Sequence, residues 1–213
     1  MAYGILRQIF EPSISRKIIS VQGEKNLPAA APFIVATNHV GFMDGPAMVI
    51  YLFKRYRQTI YFPTHHFFWK LLGGRLAQRW LGMIPIRFER KKHALDEAIR
   101  IVRKGEIVGI FPEGTRNTNE HELLKGKTGA VRLALATGVP LIPIGIRNTT
   151  GYSGFEALKS FFKKKTNFSI TIGQAVNLSE FHNKPIDKPL LTAATSKLMN
   201  SIAVLCGKEY PYY

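Results

Sequence analysis

The stretch "FIVATNHVGFMDGP", residues 33 to 46, combines a strand pattern, a polar loop and the start of a helix. Its first five residues are apolar or β-branched, which is typical of a buried strand. Asn38 and His39 follow directly, and Pro46 suits the first turn of a helix. A buried strand that leads through a polar loop into a helix is the repeating unit of α/β folds.

The same alternation continues along the chain of 213 residues. Strand patterns cover residues 18–21, 33–37, 59–62, 83–87, 107–111, 140–146 and 168–173. Apolar residues recur at helical spacing over residues 45–57, 66–80, 91–104, 127–137 and 188–206. We therefore predict a single α/β domain with a central mixed, mostly parallel sheet flanked by helices.

The chain is strongly basic, with 30 Lys and Arg against 14 Asp and Glu and a formal net charge of +16. Such a protein attracts anions, which include nucleic acid, anionic lipid headgroups and phosphorylated or CoA-linked substrates. The sequence has no zinc-finger spacing and no aromatic ribonucleoprotein motif. Nucleic acid is therefore not an expected partner, although a basic nucleic-acid-binding protein is the alternative from a different class.

The single cysteine, Cys206, cannot form an internal disulfide and is expected to be a half-buried thiol. No secretory signal is recognised near Met1. The best uncharged run, residues 27–43, is interrupted by two prolines, an asparagine and a histidine, so we predict no membrane-spanning helix. The expected location is cytoplasmic, with peripheral attachment to the membrane.

His39 and Asp44 lie five residues apart, so on a continuous helix they would be about 140° apart and could not meet. They can meet across a loop, for which Gly41 gives flexibility. Asp44 then either holds His39 as the partner of a catalytic base or simply caps the following helix. The sequence leaves both interpretations open.

Polar residues follow three of the predicted strands where each strand ends. His39 follows residues 33–37, Arg87 ends 83–87, and "PEGTR" (112–116) follows 107–111. Loops at the carboxyl ends of strands converge on the ligand crevice of an open α/β sheet. Arg116 and Arg87 offer planar forks suited to a phosphate group. The sequence therefore predicts one site at this edge.

These blocks resemble the glycerolipid acyltransferases, specifically the 1-acylglycerol-3-phosphate O-acyltransferase group. "NHVGFMD" is similar to the family's N-H-x4-D signature, and "GMIPIR", "FPEGTRN" and "VPLIPIGI" resemble its next three blocks in the same order. The resemblance runs over about residues 18–175. It implies a fold like that of glycerol-3-phosphate acyltransferase, with residues 18–213 as the acyltransferase domain. Asn117 departs from the family, which often has serine there.

By this resemblance, the protein transfers a fatty acyl group from acyl-CoA or acyl carrier protein to the free hydroxyl of lysophosphatidic acid. His39 would be the general base and Asp44 its partner. The resemblance implies neither metal nor cofactor, and backbone amides near Gly114 are a candidate oxyanion hole. Another lysolipid acceptor remains open. The implied substrate-binding residues are Arg87, Glu113, Gly114, Thr115, Arg116, Lys125 and Pro143.

A lipid substrate requires contact with a membrane surface, and two basic segments with apolar anchors could provide it. Residues 1–17 form an amphipathic N-terminal segment that is expected to contact anionic lipid, and residues 65–82 carry Trp69 and Trp80 beside basic residues. The alternative for both is burial in the protein's own core.

Overall fold

The computed structural model describes residues 12, 14–65, 70, 74, 82–86, 91–147, 167–182 and 184–212. Seven strands are present in these ranges, and each coincides with one of the predicted strands. Their bounds are β1 Ile18–Gln22, β2 Ile34–Thr37, β3 Ile60–His65, β4 Met83–Ile86, β5 Ile107–Ile110, β6 Leu141–Arg147 and β7 Phe168–Ile172.

Four α-helices are described, within two residues of the predicted bounds. They are α1 Asp44–Tyr56, α2 Lys91–Arg103, α3 Gly129–Thr137 and α4 Lys188–Cys206. The α4 helix begins where Asp187 accepts a hydrogen bond from the amide of Leu190 at 2.8 Å, and it ends at Gly207 with φ 69°. The helix predicted over residues 66–80 lies almost entirely outside the described residues.

The strands form a single sheet in the order β1-β7-β6-β2-β5-β3-β4. Every neighbouring pair is parallel except β6 and β7, which run antiparallel. The predicted mixed, mostly parallel sheet is therefore confirmed. In the centre, β2 lies between β5 and β6, and all four of its residues are buried.

Helices cover both faces of the sheet, which explains why the central strands are apolar on both sides. Val35 of β2 packs with Met48 and Leu52 of α1 on one face. Ile34 of the same strand faces the other core, which contains residues of α2, α3 and α4. The result is a three-layer α/β/α arrangement with two hydrophobic cores.

Within the described residues, α4 is long and apolar enough to cross a membrane, although the sequence predicted no membrane-spanning helix. Half of this helix is buried inside the protein. Leu198, Met199 and Ile202 are fully buried in one of the two cores. The α4 helix is thus the core helix on this face of the sheet.

The described end of the predicted membrane-contact segment packs onto the domain. Ile14 is buried in the core that α1 covers, and burial lowers the pKa of Lys17. The carbonyl of Lys17 accepts a hydrogen bond from the amide of Phe168 at the start of β7. Residues 14–17 therefore belong to the folded domain, while residues 1–11 and 13 lie outside the described residues.

We predict that Cys206 reacts slowly with thiol reagents in the folded protein. Its side chain is buried, and burial raises the pKa of the thiol, so less of the reactive thiolate is present. Reaction with Ellman's reagent should be at least roughly tenfold slower in the native protein than in guanidinium chloride. Equal rates in the two states would show that the thiol is accessible.

Candidate active site

The parallel pairing of β2 with β5 brings the loops that follow these strands side by side. Glu113, in the loop after β5, is only 2% exposed. Its Oε1 accepts a hydrogen bond from the amide of His39 at 3.0 Å. Its Oε2 accepts from the amide of Leu124 at 2.9 Å and from Asn117 Nδ2 at 2.8 Å. One buried carboxylate thus joins three loop segments.

His39 and Asp44 meet across the loop, one of the two arrangements that the sequence left open. His39 Nδ1 lies 2.9 Å from Asp44 Oδ2, and the same oxygen accepts from the amides of Val40 at 2.6 Å and Gly41 at 2.8 Å. The turn that allows this is closed by a hydrogen bond from the amide of Asp44 to the carbonyl of Gly41. The two side chains form a hydrogen-bonded pair across the loop.

The alternative role of Asp44 as a helix cap does not match the structure. Asp44 is the first residue of α1, the N-cap position belongs to Met43, and no side chain caps the helix there. The carboxylate points back to the amides that precede the helix. Its negative charge still lies in the first turn, where the helix dipole favours it.

This arrangement selects one tautomer of His39. An ionised Asp44 only accepts hydrogen bonds, so Nδ1 of the neutral imidazole carries the proton and Nε2 has a free lone pair. Nε2 makes no hydrogen bond to the described residues, and the His39 side chain is 20% exposed. The Asp44 side chain is fully buried. His39 can therefore accept a proton from an incoming group while Asp44 stabilises the imidazolium.

Aromatic packing fixes the plane of the imidazole. The ring of Phe111 stacks on His39 with centroids 4.0 Å apart and an interplanar angle of 19°. Phe62 in β3 supports Phe111 at a centroid distance of 5.3 Å. A Cβ added at Gly109 would overlap the ring of Phe62, so glycine leaves the space that this ring fills.

Two asparagines hold the same loops from inside the protein, and sequence reasoning gave neither this role. Asn38 is buried and makes two hydrogen bonds to Ile146 in β6. Its Nδ2 donates to the carbonyl of Ile146, and its Oδ1 accepts from the backbone amide of Ile146. Asn117 is also buried, and its backbone amide donates to the carbonyl of His39 at 2.7 Å. An amide side chain that replaces a strand partner in this way has no signature in the sequence.

The "PEGTR" turn exposes some of its predicted residues and buries others. Gly114 adopts φ 69°, and Thr115 and Arg116 are exposed beside it. Glu113 instead has both carboxylate oxygens occupied by protein donors, so its geometry is that of a residue that positions His39. The amide of Gly114 donates to the carbonyl of Phe111 at 2.9 Å, so it is not available as an oxyanion donor.

The other predicted binding residues lie in different surroundings. Lys125 is exposed in the loop between this turn and α3. Pro143 is buried within β6, and a Cβ added at Gly173 would lie 3.0 Å from its ring, so Pro143 has the packing of an interior strand residue. Arg87 lies outside the described residues. The binding roles of these three residues remain predictions.

Residues 208–210 support the loop that follows the "PEGTR" turn. The carbonyl of Glu209 accepts from the amide of Leu123 at 2.9 Å, and the hydroxyl of Tyr210 accepts from the amide of Gly126 at 3.2 Å. Lys208 Nζ donates to the carbonyl of Asn119. These residues after α4 thereby hold the loop that carries Leu124, one of the three donors to Glu113.

The described part of the chain contains no group of three or more His, Cys, Asp or Glu residues that could hold a metal ion. The site therefore combines a histidine whose free nitrogen can accept a proton, a buried carboxylate that orients it, and an exposed arginine. Among the described residues no hydrogen bond joins His39 to a serine or cysteine, so the geometry suits a nucleophile that comes from a substrate. Fold and site together define an α/β protein in which a histidine can act as a base on a bound molecule.

The family model described as Acyltransferase matches residues 18–147. This match covers more than half of the chain, so the chain belongs to the Acyltransferase family. The resemblance carried by the four sequence blocks is thus confirmed.

Several proteins named 1-acyl-sn-glycerol-3-phosphate acyltransferase are similar to this chain. The 1-acyl-sn-glycerol-3-phosphate acyltransferase of Bacillus subtilis (strain 168) is 29% identical over 202 residues, which cover 89% of this chain and 89% of that protein. A protein of the same name from Borreliella burgdorferi is 31% identical over 137 residues, which cover 63% of this chain and 53% of that protein.

A solved structure shares the fold. The crystal structure of the 1-acyl-sn-glycerophosphate (LPA) acyltransferase PlsC from Thermotoga maritima matches with a TM-score of 0.64 and 21% sequence identity. The superposition covers 97% of this chain and 82% of that chain. The predicted acyltransferase-like fold is therefore confirmed.

We predict that Glu113→Gln lowers acyltransferase activity by more than its effect on the free energy of unfolding can explain. Glutamine keeps one oxygen acceptor, but its NH2 group cannot accept a hydrogen bond. The oxygen is expected to face the two donors that Oε2 now binds, Leu124 and Asn117. The NH2 group then faces the amide of His39 and leaves it without an acceptor. The unsatisfied amide should lower the free energy of unfolding by about 1–3 kcal/mol. Urea unfolding and initial rates measure the two effects. Glu122→Gln is the matched control, and equal activity of both variants would contradict the role of Glu113.

We expect Gly109→Ala to disturb the aromatic stack. The added methyl group overlaps Phe62, and overpacking of this kind lowers stability by about 1–3 kcal/mol. Combining it with Phe62→Leu should recover part of the loss, which a double-mutant cycle in urea would measure. Gly129→Ala is the control, because a Cβ there meets nothing within 4 Å. Purely additive effects would show that Gly109 and Phe62 do not contact each other.

Proposed function

We propose that this protein transfers a fatty acyl group from a thioester to the free hydroxyl of lysophosphatidic acid and so forms phosphatidic acid. The observation that carries the proposal is the His39–Asp44 pair, which leaves Nε2 without a described partner and whose backbone is bonded to the loop of the exposed arginine turn. The names of the Bacillus subtilis and Borreliella burgdorferi relatives support this acceptor. The donor is acyl-CoA or acyl carrier protein, and the reaction uses neither metal nor cofactor.

In this mechanism His39 acts as the general base. Nε2 takes the proton from the acceptor hydroxyl as its oxygen attacks the carbonyl carbon of the thioester. The tetrahedral oxyanion then collapses, the carbon–sulfur bond breaks, and the thiolate leaves with the proton from the His39 imidazolium. Asp44 stabilises the imidazolium throughout, and no covalent bond to the enzyme forms.

The oxyanion requires donors that are not already engaged. The amides of His39, Gly114 and Asn117 all donate within the protein, whereas those of Thr115 and Arg116 make no such bond in the described structure. We assign the oxyanion contacts to these two amides, which belong to the exposed part of the turn. Arg116 then binds the phosphate of the acceptor with its guanidinium group.

The substrates are lipids, so the site must act at a membrane surface. Phe42, in the loop between His39 and Asp44, is 39% exposed, so this loop presents part of an aromatic ring at the surface. The net charge of +16 favours attachment to anionic lipid. These two features support peripheral contact in which the loop that holds the base faces the lipid.

The experiment mixes the purified protein with vesicles, lysophosphatidic acid and either acyl-CoA or acyl carrier protein loaded with the same chain. Thiol release and phosphatidic acid are measured together. Thiol without phosphatidic acid would refute this acceptor. A parallel series with lysophosphatidylcholine, lysophosphatidylethanolamine and monoacylglycerol would then identify another acceptor or show that water is attacked.

We predict that His39→Ala lowers the rate of phosphatidic acid formation by roughly 10²–10⁴-fold, the usual contribution of a general base. Binding of both substrates should change little, because the ring is a small part of either contact. His182→Ala, an exposed histidine elsewhere on the domain, serves as the control. Comparable activity of the two variants would remove His39 from the mechanism.

A further inference from the structure

The short segment 123–128 between the "PEGTR" turn and α3 is tied to that turn at two points. The amide of Leu124 donates to Glu113 Oε2 at 2.9 Å. The amide of Lys127 donates to the carbonyl of Pro112 at 2.8 Å. The backbone that carries Lys127 is therefore fixed against the residues that hold His39.

Packing on the opposite side restricts this segment further. A Cβ added at Gly126 would lie 2.8 Å from Thr195 Cγ2 and 2.5 Å from Met199 Cγ, so the backbone lies directly on α4. The amide of Gly126 also donates to the hydroxyl of Tyr210. Lys127 thus starts from a rigid position, unlike a lysine on a solvated helix face.

The side chain of Lys127 extends across Gly114. The three atoms nearest to a Cβ built on Gly114 all belong to Lys127. Its Cδ and Cε would lie 2.7 Å and 2.8 Å from that Cβ, and its Nζ would lie closer still and overlap it. Gly114 has φ 69°, a conformation that glycine adopts without strain. The absence of a side chain at Gly114 creates the groove along which the lysine reaches the exposed part of the turn.

Among the described residues, no carboxylate pairs with the ammonium group of Lys127. Within the described ranges neither Lys127 nor Arg116 forms an ion pair, and the neighbouring Glu113 has both oxygens occupied. Lys127, which extends over Gly114, and Arg116 within the turn therefore place two cations at the same exposed turn. A lysine with a fixed backbone and no acidic partner among the described residues, together with an arginine, is suited to a phosphate dianion.

We propose that Lys127 binds a substrate phosphate group together with Arg116 and is a specificity-determining residue of this site. The inference rests on the proposed function, because in lysophosphatidic acid the phosphate and the free hydroxyl are on neighbouring carbons. A phosphate beside the turn would hold that hydroxyl near His39, whose amide is bonded to Glu113. The phosphate belongs either to the acceptor or to CoA.

The test compares wild type with Lys127→Met, which keeps the apolar stem over Gly114 and removes only the charge, and with Lys127→Arg. Lys104→Met is the matched control, since Lys104 is exposed before β5 at the other end of the sheet. Lys127→Met should raise KM for a phosphate-bearing substrate by roughly 10- to 100-fold while kcat changes less than about threefold. Lys127→Arg should recover most of the loss.

Substrates without phosphate distinguish the two sources. If the acceptor phosphate is bound, Lys127→Met raises KM for lysophosphatidic acid and leaves monoacylglycerol acylation unchanged. If the CoA phosphates are bound, the variant raises KM for acyl-CoA and leaves a neutral acyl-N-acetylcysteamine donor unchanged. Unchanged KM values for both phosphate-bearing substrates, or an equal effect on substrates without phosphate, would overturn the proposal.

Direct binding separates this inference from the proposed function. Calorimetric titration with sn-glycerol 3-phosphate and with CoA requires no turnover, so it remains informative if wild type makes no phosphatidic acid. Lys127→Met should then weaken binding of one of these ligands by about tenfold or more, with Lys104→Met unchanged. Equal binding by wild type and Lys127→Met would count against the lysine whatever reaction the enzyme catalyses.

Discussion

The buried carboxylate of Glu113 is the interaction on which the site depends. It accepts hydrogen bonds from the amides of His39 and Leu124 and from the side chain of Asn117, so the loop after β2 is held against two parts of the loop after β5. Without this acceptor, the amides of His39 and Leu124 would lose their partner, and an unsatisfied buried donor costs about 1–3 kcal/mol. The backbone of His39 is thus fixed by a residue whose carboxylate is fully engaged by protein donors.

The two buried carboxylates, Glu113 and Asp44, hold different parts of His39. Glu113 holds the main chain of His39, whereas Asp44 holds its ring and selects the tautomer. Phe111 adds the third restraint by stacking on the ring. Because strand ends and the first turn of α1 supply these groups, His39 is held by rigid elements, as the proposed proton transfer would require.

Periodicity made the fold predictable, because strands and helices buried in two cores leave regular apolar patterns. The pairing of His39 with Asp44 was also within reach, since both are in one short loop. The burial of Glu113 was not, because "PEG" is the pattern of an exposed turn and the donors that bury it come from His39 and Leu124. Asn38 likewise pairs with Ile146, 108 residues away. Contacts of this kind depend on strand order, which a single sequence does not state.

The contacts of residues 208–210 have a consequence for how the enzyme is made. The loop that carries Leu124 and Lys127 is backed by Glu209 and Tyr210, about 170 residues after His39 in the chain. On the ribosome the strand with the base emerges early, whereas the support of that loop emerges late. A nascent chain that does not yet include residues 208–210 therefore carries the His39–Asp44 pair without the contacts that support this loop.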